Sequence, residues 1–257
     1  MKKILVPIDF SVCALQALEV AQTWAEKYKA ALVLLSVVEK PDDLQKTRED
    51  IKELSSNLPI KAYPIVQTGS IKEGIFKTVN DEKIDMIVMG TRGNNNNKRV
   101  LLGSTAESIL RDSTVPVLSI KYSSSSKSDT KKVVLAVDLE SKKSFPIENI
   151  KQVLQKFEAE LHILYVNTAN SFSTTKDLNK KMSNFAEKYE LTDYQFHIFC
   201  DVLQDEGIKN FAQQEKADLI IMMSHQRKGL SRFWQGSVSE GVAGESLVPV
   251  LTFPMND

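Results

Sequence analysis

The chain of 257 residues repeats its own sequence pattern, and this repeat restricts the possible folds more than any other feature. Segments of the first half recur downstream in the same order, first 129 and then 133 positions later. The recurring pairs are 3–9 with 132–138, 34–37 with 163–166, 73–75 with 206–208, 82–85 with 215–218, 103–104 with 236–237, and 115–118 with 248–251. Two ordered sets of matches predict a tandem duplication of one structural unit.

Each copy alternates apolar runs with stretches of helical periodicity. The apolar runs of the first copy predict five strands, at 3–8, 31–38, 59–68, 85–89 and 115–120. Runs without polar alternation are typical of parallel strands that are buried on both faces. Because proline cannot donate to a sheet, Pro64 places the third strand near an edge. The pattern predicts an α/β fold of two tandem doubly wound units, each a five-stranded parallel sheet with helices on both faces.

The repeat also predicts the domain boundaries. We expect one domain at 1–122, a second at 132–257, and a linker at 123–131. The linker is polar and rich in serine, which is typical of a flexible connection.

Composition and charge exclude several functional classes. Lys+Arg and Asp+Glu number 33 each, so there is no overall basic field of the kind that attracts nucleic acid or anionic membranes. No apolar run has the length of a membrane span, and Pro7 and Asp9 interrupt the first run too early for a signal peptide. Cys13 and Cys200 lack CxxC spacing. We expect a cytoplasmic globular protein with no nucleic-acid or membrane partner.

A glycine-rich segment after the fourth strand is the strongest candidate site. Gly90 and Gly93 follow the strand, and Gly103-Ser104-Thr105 begins the next predicted helix. Glycine permits positive φ and close approach of a ligand to the backbone. The first turn of a helix offers unpaired N–H groups and a partial positive charge. The segment is therefore either a phosphate cradle or a left-handed turn followed by an ordinary serine or threonine N-cap.

The second copy keeps the helix start but replaces both earlier glycines. Met223 stands at the position of Gly90, and Gln226 stands at that of Gly93. A side chain at a left-handed position costs roughly 1–2 kcal/mol and also fills space that a ligand would use. The sequence thus predicts a ligand site in the first copy and a lost or changed pocket in the second. A Gly90→Met replacement is expected to remove the ligand and leave the fold intact.

Together these motifs resemble the universal stress protein family. The resemblance rests on Val-Pro-Ile-Asp-Phe-Ser at 6–11, on the GxxG-x9-GS pattern over 90–104, and on Val-Pro-Val-Leu at 115–118. It covers nearly the whole chain as two copies, the second without the first two motif glycines. It implies a regulatory or stress-response role and, in the members that bind nucleotide, ATP held at the strand ends.

The resemblance assigns ligand contacts to nine residues of the first copy. Asp9, Pro7 and the backbone near Val37 would line the adenine and ribose side, and Met89 would pack near the base. The glycine-rich segment would hold the ribose and phosphates through Gly90, Gly93, Gly103, Ser104 and Thr105. ATP, with or without Mg²⁺, is the implied cofactor. Asp9 is alternatively a turn residue, and Val37 and Met89 are alternatively core residues.

No residue is predicted to be catalytic or to bind a metal. The sequence contains no GxxxxGK[ST], no GxGxxG after the first strand and no GxSxG. His162 and His197 lie in predicted strands and are interpreted as structural. Two further functions remain open, an interaction module that binds no nucleotide and a slow ATPase.

The resemblance also bears on assembly. Members of the family commonly dimerise through their last strand, and here 115–120 and 248–253 are able to pair inside one chain and cover each other's edges. We expect an intramolecular pseudo-dimer of the two domains, with a homodimer as the alternative.

Overall fold

The computed structural model of the protein describes residues 1–39, 43–91, 103–121, 130–141, 144–224 and 238–254. The strands are β1 (Lys3–Pro7), β2 (Ala31–Val38), β3 (Ala62–Thr68), β4 (Met86–Gly90), β5 (Val117–Ile120), β6 (Lys132–Ala136), β7 (Glu160–Asn167), β8 (Tyr194–Cys200), β9 (Leu219–Ser224) and β10 (Val250–Pro254). The helices are α1 (Val12–Tyr28), α2 (Leu44–Ser56), α3 (Ile71–Asp81), α4 (Ser104–Asp112), α5 (Ile147–Phe157), α6 (Thr175–Lys188), α7 (Gln204–Gln214) and α8 (Val238–Glu245). We call residues 1–121 the N-terminal half and residues 130–254 the C-terminal half.

The ten strands form one sheet in the order β3-β2-β1-β4-β5-β10-β9-β6-β7-β8. Neighbouring strands are parallel within each half. One antiparallel pair joins β5 to β10, with Leu118 opposite Leu251. Pro64 lies in β3 at an edge of the sheet, as its effect on strand pairing predicts. The predicted doubly wound α/β fold is confirmed, and the two five-stranded sheets are continuous through the β5–β10 pair.

An aspartate fixes the start of the first strand in each half. The Oδ2 atom of Asp85 accepts hydrogen bonds from the backbone N–H groups of Lys2 and Lys3, at 2.6 and 2.9 Å. Asp218, at the equivalent position, accepts two such bonds at the start of β6, both at 3.0 Å. The repeat seen in the sequence therefore extends to individual bonds between side chain and backbone.

The helices cover both faces of the sheet, and each face has an apolar core with contributions from both halves. On one face, Trp24 of α1 and Phe157 of α5 are buried with their ring centroids 4.8 Å apart. On the other face α4 contacts α8. Near that contact, the hydroxyl of Ser224 donates to the carbonyl oxygen of Leu110 at 3.3 Å. These contacts hold the strand ends of both halves in a fixed framework.

The first helix of each half starts at a different distance from its strand. Helix α1 begins at Val12, five residues after the end of β1, and has 17 residues. Helix α5 begins at Ile147, eleven residues after the end of β6, and has 11 residues. The segment that carries the chain from strand to helix is therefore longer in the C-terminal half.

Candidate ligand site at the strand ends

Each half has the kind of switch point at which open α/β sheets bind ligands. It lies between β1 and β4 in the N-terminal half and between β6 and β9 in the C-terminal half. Helices α1 and α4, which follow β1 and β4, pack on opposite faces of the sheet. In open α/β sheets this arrangement creates a crevice between the two strand ends. Pro7, Met89 and Gly90 lie at the carboxyl ends of β1 and β4, so the fold brings these predicted site residues to the switch point.

Asp9 shapes the turn between β1 and α1. Its Oδ1 atom accepts a hydrogen bond from the backbone N–H of Ser11 at 3.0 Å, and Phe10 between them has a left-handed φ of 57°. Asp138 forms the same turn in the C-terminal half, accepting from the N–H of Glu140 at 2.9 Å. Both aspartates are exposed at a strand end. Asp9 is thus a turn residue whose carboxylate also faces solvent at the switch point.

Gly90 is required by packing inside the fold. Among the described residues, Gly69 is the one glycine with positive φ, so Gly90 is not left-handed. A β-carbon on Gly90 would lie 2.7 Å from Sγ of Cys13 and 2.9 Å from its carbonyl carbon and oxygen. The first turn of α1 fills this space. The expectation that Gly90→Met would leave the fold intact is contradicted by this contact, because backbone atoms cannot move aside cheaply.

Met223 occupies the position in β9 that corresponds to Gly90, in the half whose first helix begins late. Helix α5 begins further along the chain, and a loop containing Phe145 takes the place of the first helical turns. The exchange of glycine for methionine therefore coincides with a change in where the helix starts, and the ligand contact of Gly90 stays a prediction.

Gly103 is the N-cap of α4, so Ser104 and Thr105 lie inside its first turn. The φ and ψ of Gly103 are −63° and 142°, an extended conformation, and glycine has no side chain to cap the helix. By contrast, the hydroxyl of Ser11 accepts a bond from the first turn of α1. The alternative of a left-handed turn with an ordinary serine or threonine cap is therefore wrong at Gly103. Its N–H donates to the carbonyl oxygen of Thr91 at 3.2 Å, which ties α4 to the end of β4.

Val37 and Met89 pack against apolar neighbours. Met89 is 5% exposed and belongs to the core beneath α3 and α4. Val37 lies against α3, where a β-carbon on Gly74 would come within 2.8 Å of its Cγ2 atom. Both side chains therefore have the packing role that the sequence left open as the alternative. Gly93 lies outside the described residues.

The C-terminal half has a cleft of about 360 Å³ at its own switch point. Its wall includes the counterparts of six predicted site residues. Ala136, Asp138, Val166, Met222, Met223 and Val238 correspond to Pro7, Asp9, Val37, Met89, Gly90 and Thr105. The sequence predicted a lost or changed pocket in this half, and the structure shows a cleft whose composition has changed.

Four other wall residues escaped the sequence reasoning: Phe145, Tyr165, Gln204 and Ile208. Tyr165, Gln204 and Ile208 correspond to Ser36, Ile71 and Ile75 of the first copy, and none of these was a predicted site residue. Phe145 corresponds to Gln16, which lies within α1, whereas Phe145 itself precedes the start of α5.

The phenol of Tyr165 is neutral at physiological pH. Burial raises the pKa of Tyr165 above its ordinary value, and the negative charge of Glu140 raises it further. Asp138 is the one carboxylate on the described wall, which carries no lysine or arginine. The described part of the cleft is therefore apolar with an acidic rim.

The described ranges contain neither a candidate metal cluster nor a candidate membrane-spanning helix. No group of three or more His, Cys, Asp and Glu side chains there has an arrangement that could hold a metal ion. No helix within those ranges is long and apolar enough to cross a bilayer.

A sequence model of the universal stress protein family matches residues 1–62, 43–121 and 129–254. The chain belongs to the universal stress protein family. This universal stress protein is similar over its whole length to a solved universal stress protein from Archaeoglobus fulgidus DSM 4304. The two are 26% identical with a TM-score of 0.79, and the match covers 99% of this chain and 98% of the other.

Two further relatives agree with the repeated match. A universal stress protein of Methanocaldococcus jannaschii is 27% identical over 157 residues, which cover 48% of this chain and 97% of that protein. That relative therefore corresponds to about half of this universal stress protein. The match to a solved protein of Pseudomonas aeruginosa UCBPP-PA14 covers 99% of this chain with a TM-score of 0.71. Because the two sequences are 20% identical, this likeness supports the fold alone.

Proposed function

We propose that this universal stress protein is a stress-response regulator that binds ATP at the carboxyl ends of β1, β2 and β4. The observation that carries the proposal is the N-terminus of α4, whose N-cap Gly103 makes no side-chain cap and ties the helix to the end of β4. N–H groups without a side-chain cap at a helix N-terminus favour a phosphate. Ser104 and Thr105 add two hydroxyl groups in the same turn.

Asp9 supplies an acceptor on the opposite side of the proposed site. One of its oxygens accepts from Ser11, and a carboxylate has about four acceptor positions in all. It can therefore accept further hydrogen bonds from hydroxyl or amino groups of a nucleoside. The family resemblance implies a contact between Asp9 and the adenine and ribose side of the nucleotide, which supports this assignment. Donors for phosphate and an acceptor for the nucleoside thus flank one switch point.

The comparison of the two halves favours ATP in the N-terminal half. Thr105 offers a hydroxyl in the first turn of α4, whereas its counterpart Val238 in α8 offers none. A valine in that place lowers the affinity of a helix N-terminus for phosphate, because one hydrogen bond to a charged group is lost. The N-terminal half is therefore the better site for an anionic ligand.

Calorimetric titration of the full chain with ATP, with and without Mg²⁺, tests the proposal. We expect one ATP per chain. Thr105→Val and Asp9→Asn should each weaken binding about tenfold or more, because each removes a hydrogen bond that involves a charged group. Asparagine keeps the acceptor for Ser11, so the turn is preserved. Circular dichroism and the free energy of unfolding establish that each variant is folded.

The matched controls are Val238→Thr and Asp138→Asn, which alter the corresponding positions of the other half. They should leave the affinity for ATP unchanged. Absence of heat and of any thermal shift at millimolar ATP would refute the proposal. A loss caused by Asp138→Asn but not by Asp9→Asn would move the nucleotide to the C-terminal half.

We also propose that 1–122 and 132–257 are separate domains joined by a linker at 123–131. The family matches at 1–62 and 43–121 on one side and at 129–254 on the other support this division. Limited proteolysis should cut first within the linker and yield two stable fragments. A first cut inside either proposed domain would contradict the boundary.

A further inference from the structure

Two histidines of neighbouring strands are in contact beneath α7, and we call His162 and His197 the histidine pair. Nδ1 of His162 in β7 and Nε2 of His197 in β8 are 3.0 Å apart, and the two rings are nearly parallel. We propose that the histidine pair is an acid-sensitive contact that holds the edge strand β8 to the sheet at neutral pH and releases it when the pair takes up protons. The proposal concerns regulation of the fold and does not depend on ATP binding.

The N-terminal half shows that the fold does not require these histidines. The strand registers place Val33 of β2 and Ile65 of β3 at the corresponding positions. Both side chains belong to the apolar core on the same face of the sheet as α7. The last two strands of one half therefore meet through apolar side chains, where those of the other half meet through a hydrogen bond between titratable rings.

The surroundings of the histidine pair favour neutral rings. His162 is 2% exposed, and its Nε2 atom has no hydrogen-bond partner among the described residues. The ring of His197 packs against Phe211 of α7, with 4.9 Å between centroids. A charge buried among such groups is unfavourable unless it is paired. Burial lowers the pKa of His197 in the folded state, and the neighbouring His162 lowers it further.

Three charged groups face the histidine pair from the elements around it. Lys132 of β6 and Glu215 at the end of α7 form an ion pair of 3.1 Å, and their effects on the pKa of His197 oppose each other. The carboxylate of Glu160 lies 3.7 Å from Nε2 of His162, but this side chain is 73% exposed, so solvent weakens its attraction for a proton on the pair. Helix α6 packs on the opposite face of the sheet. Burial therefore remains the main effect on His197.

The contact survives one added proton but not two. With both rings neutral, one nitrogen of the contact carries a proton and the other accepts it. Glu160 favours a proton on Nε2 of His162, which makes Nδ1 of His162 the acceptor. A first added proton on Nδ1 of His197 keeps this bond but leaves a charge beneath α7. A second, on Nδ1 of His162, turns the acceptor into a donor and breaks the bond. Opening of β8 thus takes up as many as two protons, because histidines in water have a pKa of about 6.5.

Hydrogen exchange measured by mass spectrometry tests the proposal on the full chain. Protection factors, which are corrected for the intrinsic exchange rate at each pH, report the opening of individual strands. Uptake of two protons changes an opening equilibrium by as much as about a hundredfold for each pH unit below the pKa of free histidine. Between about pH 7.5 and pH 5.5 we therefore expect the protection of β8 to fall at least about tenfold. Strand β3, the other edge of the same sheet, is the internal control and should keep its protection.

Two variants assign the effect to the histidine pair. A double variant, His162→Val with His197→Ile, introduces the residues of the other half and should keep β8 protected equally at both pH values. His197→Gln leaves a single titrating ring and should show a smaller fall than the unaltered protein, which retains a test if the double variant does not fold. Circular dichroism at both pH values establishes that each variant is folded.

Three outcomes would overturn the proposal. They are a protection of β8 that does not change with pH, an equal fall in β3 and β8, and a fall that persists in the double variant. The measurement contains no nucleotide, so a failure to bind ATP would leave it unaffected. A calorimetric signal for ATP would in turn lend it no support.

Discussion

The backbone carbonyl of Cys13 lies 2.9 Å from the point at which a residue other than glycine at position 90 would carry its β-carbon. Helix α1 and strand β4 are in contact through backbone atoms here, and the Sγ atom of Cys13 donates to the carbonyl oxygen of Ile120 at 3.4 Å beside them. This packing is what distinguishes the N-terminal switch point from its counterpart at Met223.

Gly90→Ala should therefore destabilise the protein. Inserting a methyl group into a filled interior costs typically about 1–3 kcal/mol, and contact with backbone atoms places this change toward the upper end. The free energy of unfolding from urea denaturation measures the effect. Gly103→Ala is the matched control, because among the described residues its β-carbon would meet the carbonyl oxygen of Thr91 alone, at 3.6 Å. Equal losses in the two variants would contradict the packing role of Gly90.

Stability should depend on the protonation of His197. His162 Nδ1 and His197 Nε2 are 3.0 Å apart, so one of these nitrogens carries a proton and the other accepts it. The pKa of His197 is lowered by burial, then by His162 and more weakly by Lys132, while Glu215 acts in the opposite sense. Glu160 lies 3.7 Å from the other nitrogen of His162.

The sign of the pH dependence follows from the lowered pKa of His197 in the folded state. An unfolded histidine has a pKa of about 6.5, so as the pH falls below this value the unfolded chain binds protons before His197 does in the folded state. The contribution of His197 to stability is complete above about pH 6.5 and declines as the pH falls toward the folded pKa. Urea unfolding at about pH 7.5 and pH 5.5 should show a smaller loss for His197→Gln than for the unaltered protein. An identical loss in both proteins would count against the prediction.

The cross-half contact between α1 and α5 should contribute strongly to stability. Phe157 is 1% exposed and packs 4.8 Å from Trp24, so Phe157→Ala should cost about 3–5 kcal/mol. Tryptophan fluorescence should shift, because Trp24 gains solvent exposure. Phe172 is 71% exposed, and Phe172→Ala should change the free energy of unfolding by less than about 0.5 kcal/mol. Similar values for the two phenylalanines would argue against a shared core.

The repeated aspartates should have similar energetic roles in the two halves. Asp85→Ala and Asp218→Ala each remove an acceptor from two backbone N–H groups, and each should lower the free energy of unfolding by about 1–3 kcal/mol. Asp81→Ala, at the exposed end of α3, is the control and should have little effect. A loss at one aspartate only would show that the two strand starts are not equivalent.

The fold was predictable because its determinants are local and repeated. Apolar runs identified the buried strands, and Pro64 identified an edge strand, since each effect acts within a few residues of chain. Repeated segments, such as those that end in Asp85 and Asp218, indicated the duplication directly. The boundaries of α1 at Val12 and Tyr28 follow from its N-cap and its apolar spacing.

The site was predictable only in part, because contacts distant in sequence decide it. The closeness of Gly90 to Cys13 depends on how α1 leaves β1, and no local pattern specifies that approach. The cleft wall at Phe145 depends on a bond to Tyr189, 44 residues away. Sequence comparison of the two copies recognised that position 223 had changed, but it could not show that a helix start had moved.

The antiparallel pair of β5 and β10 sets the two candidate sites apart. The strands of one half run opposite to those of the other. The carboxyl ends of β1 and β4 therefore lie at one end of the strands, and those of β6 and β9 lie at the opposite end. Molecules bound at these two opposite ends would not be in contact with each other. Any influence of one ligand on the affinity for the other must pass through the shared sheet and its helices, and it must be equal in both directions. One polypeptide thus carries the two candidate sites in a fixed one-to-one ratio, and the two sites face away from each other.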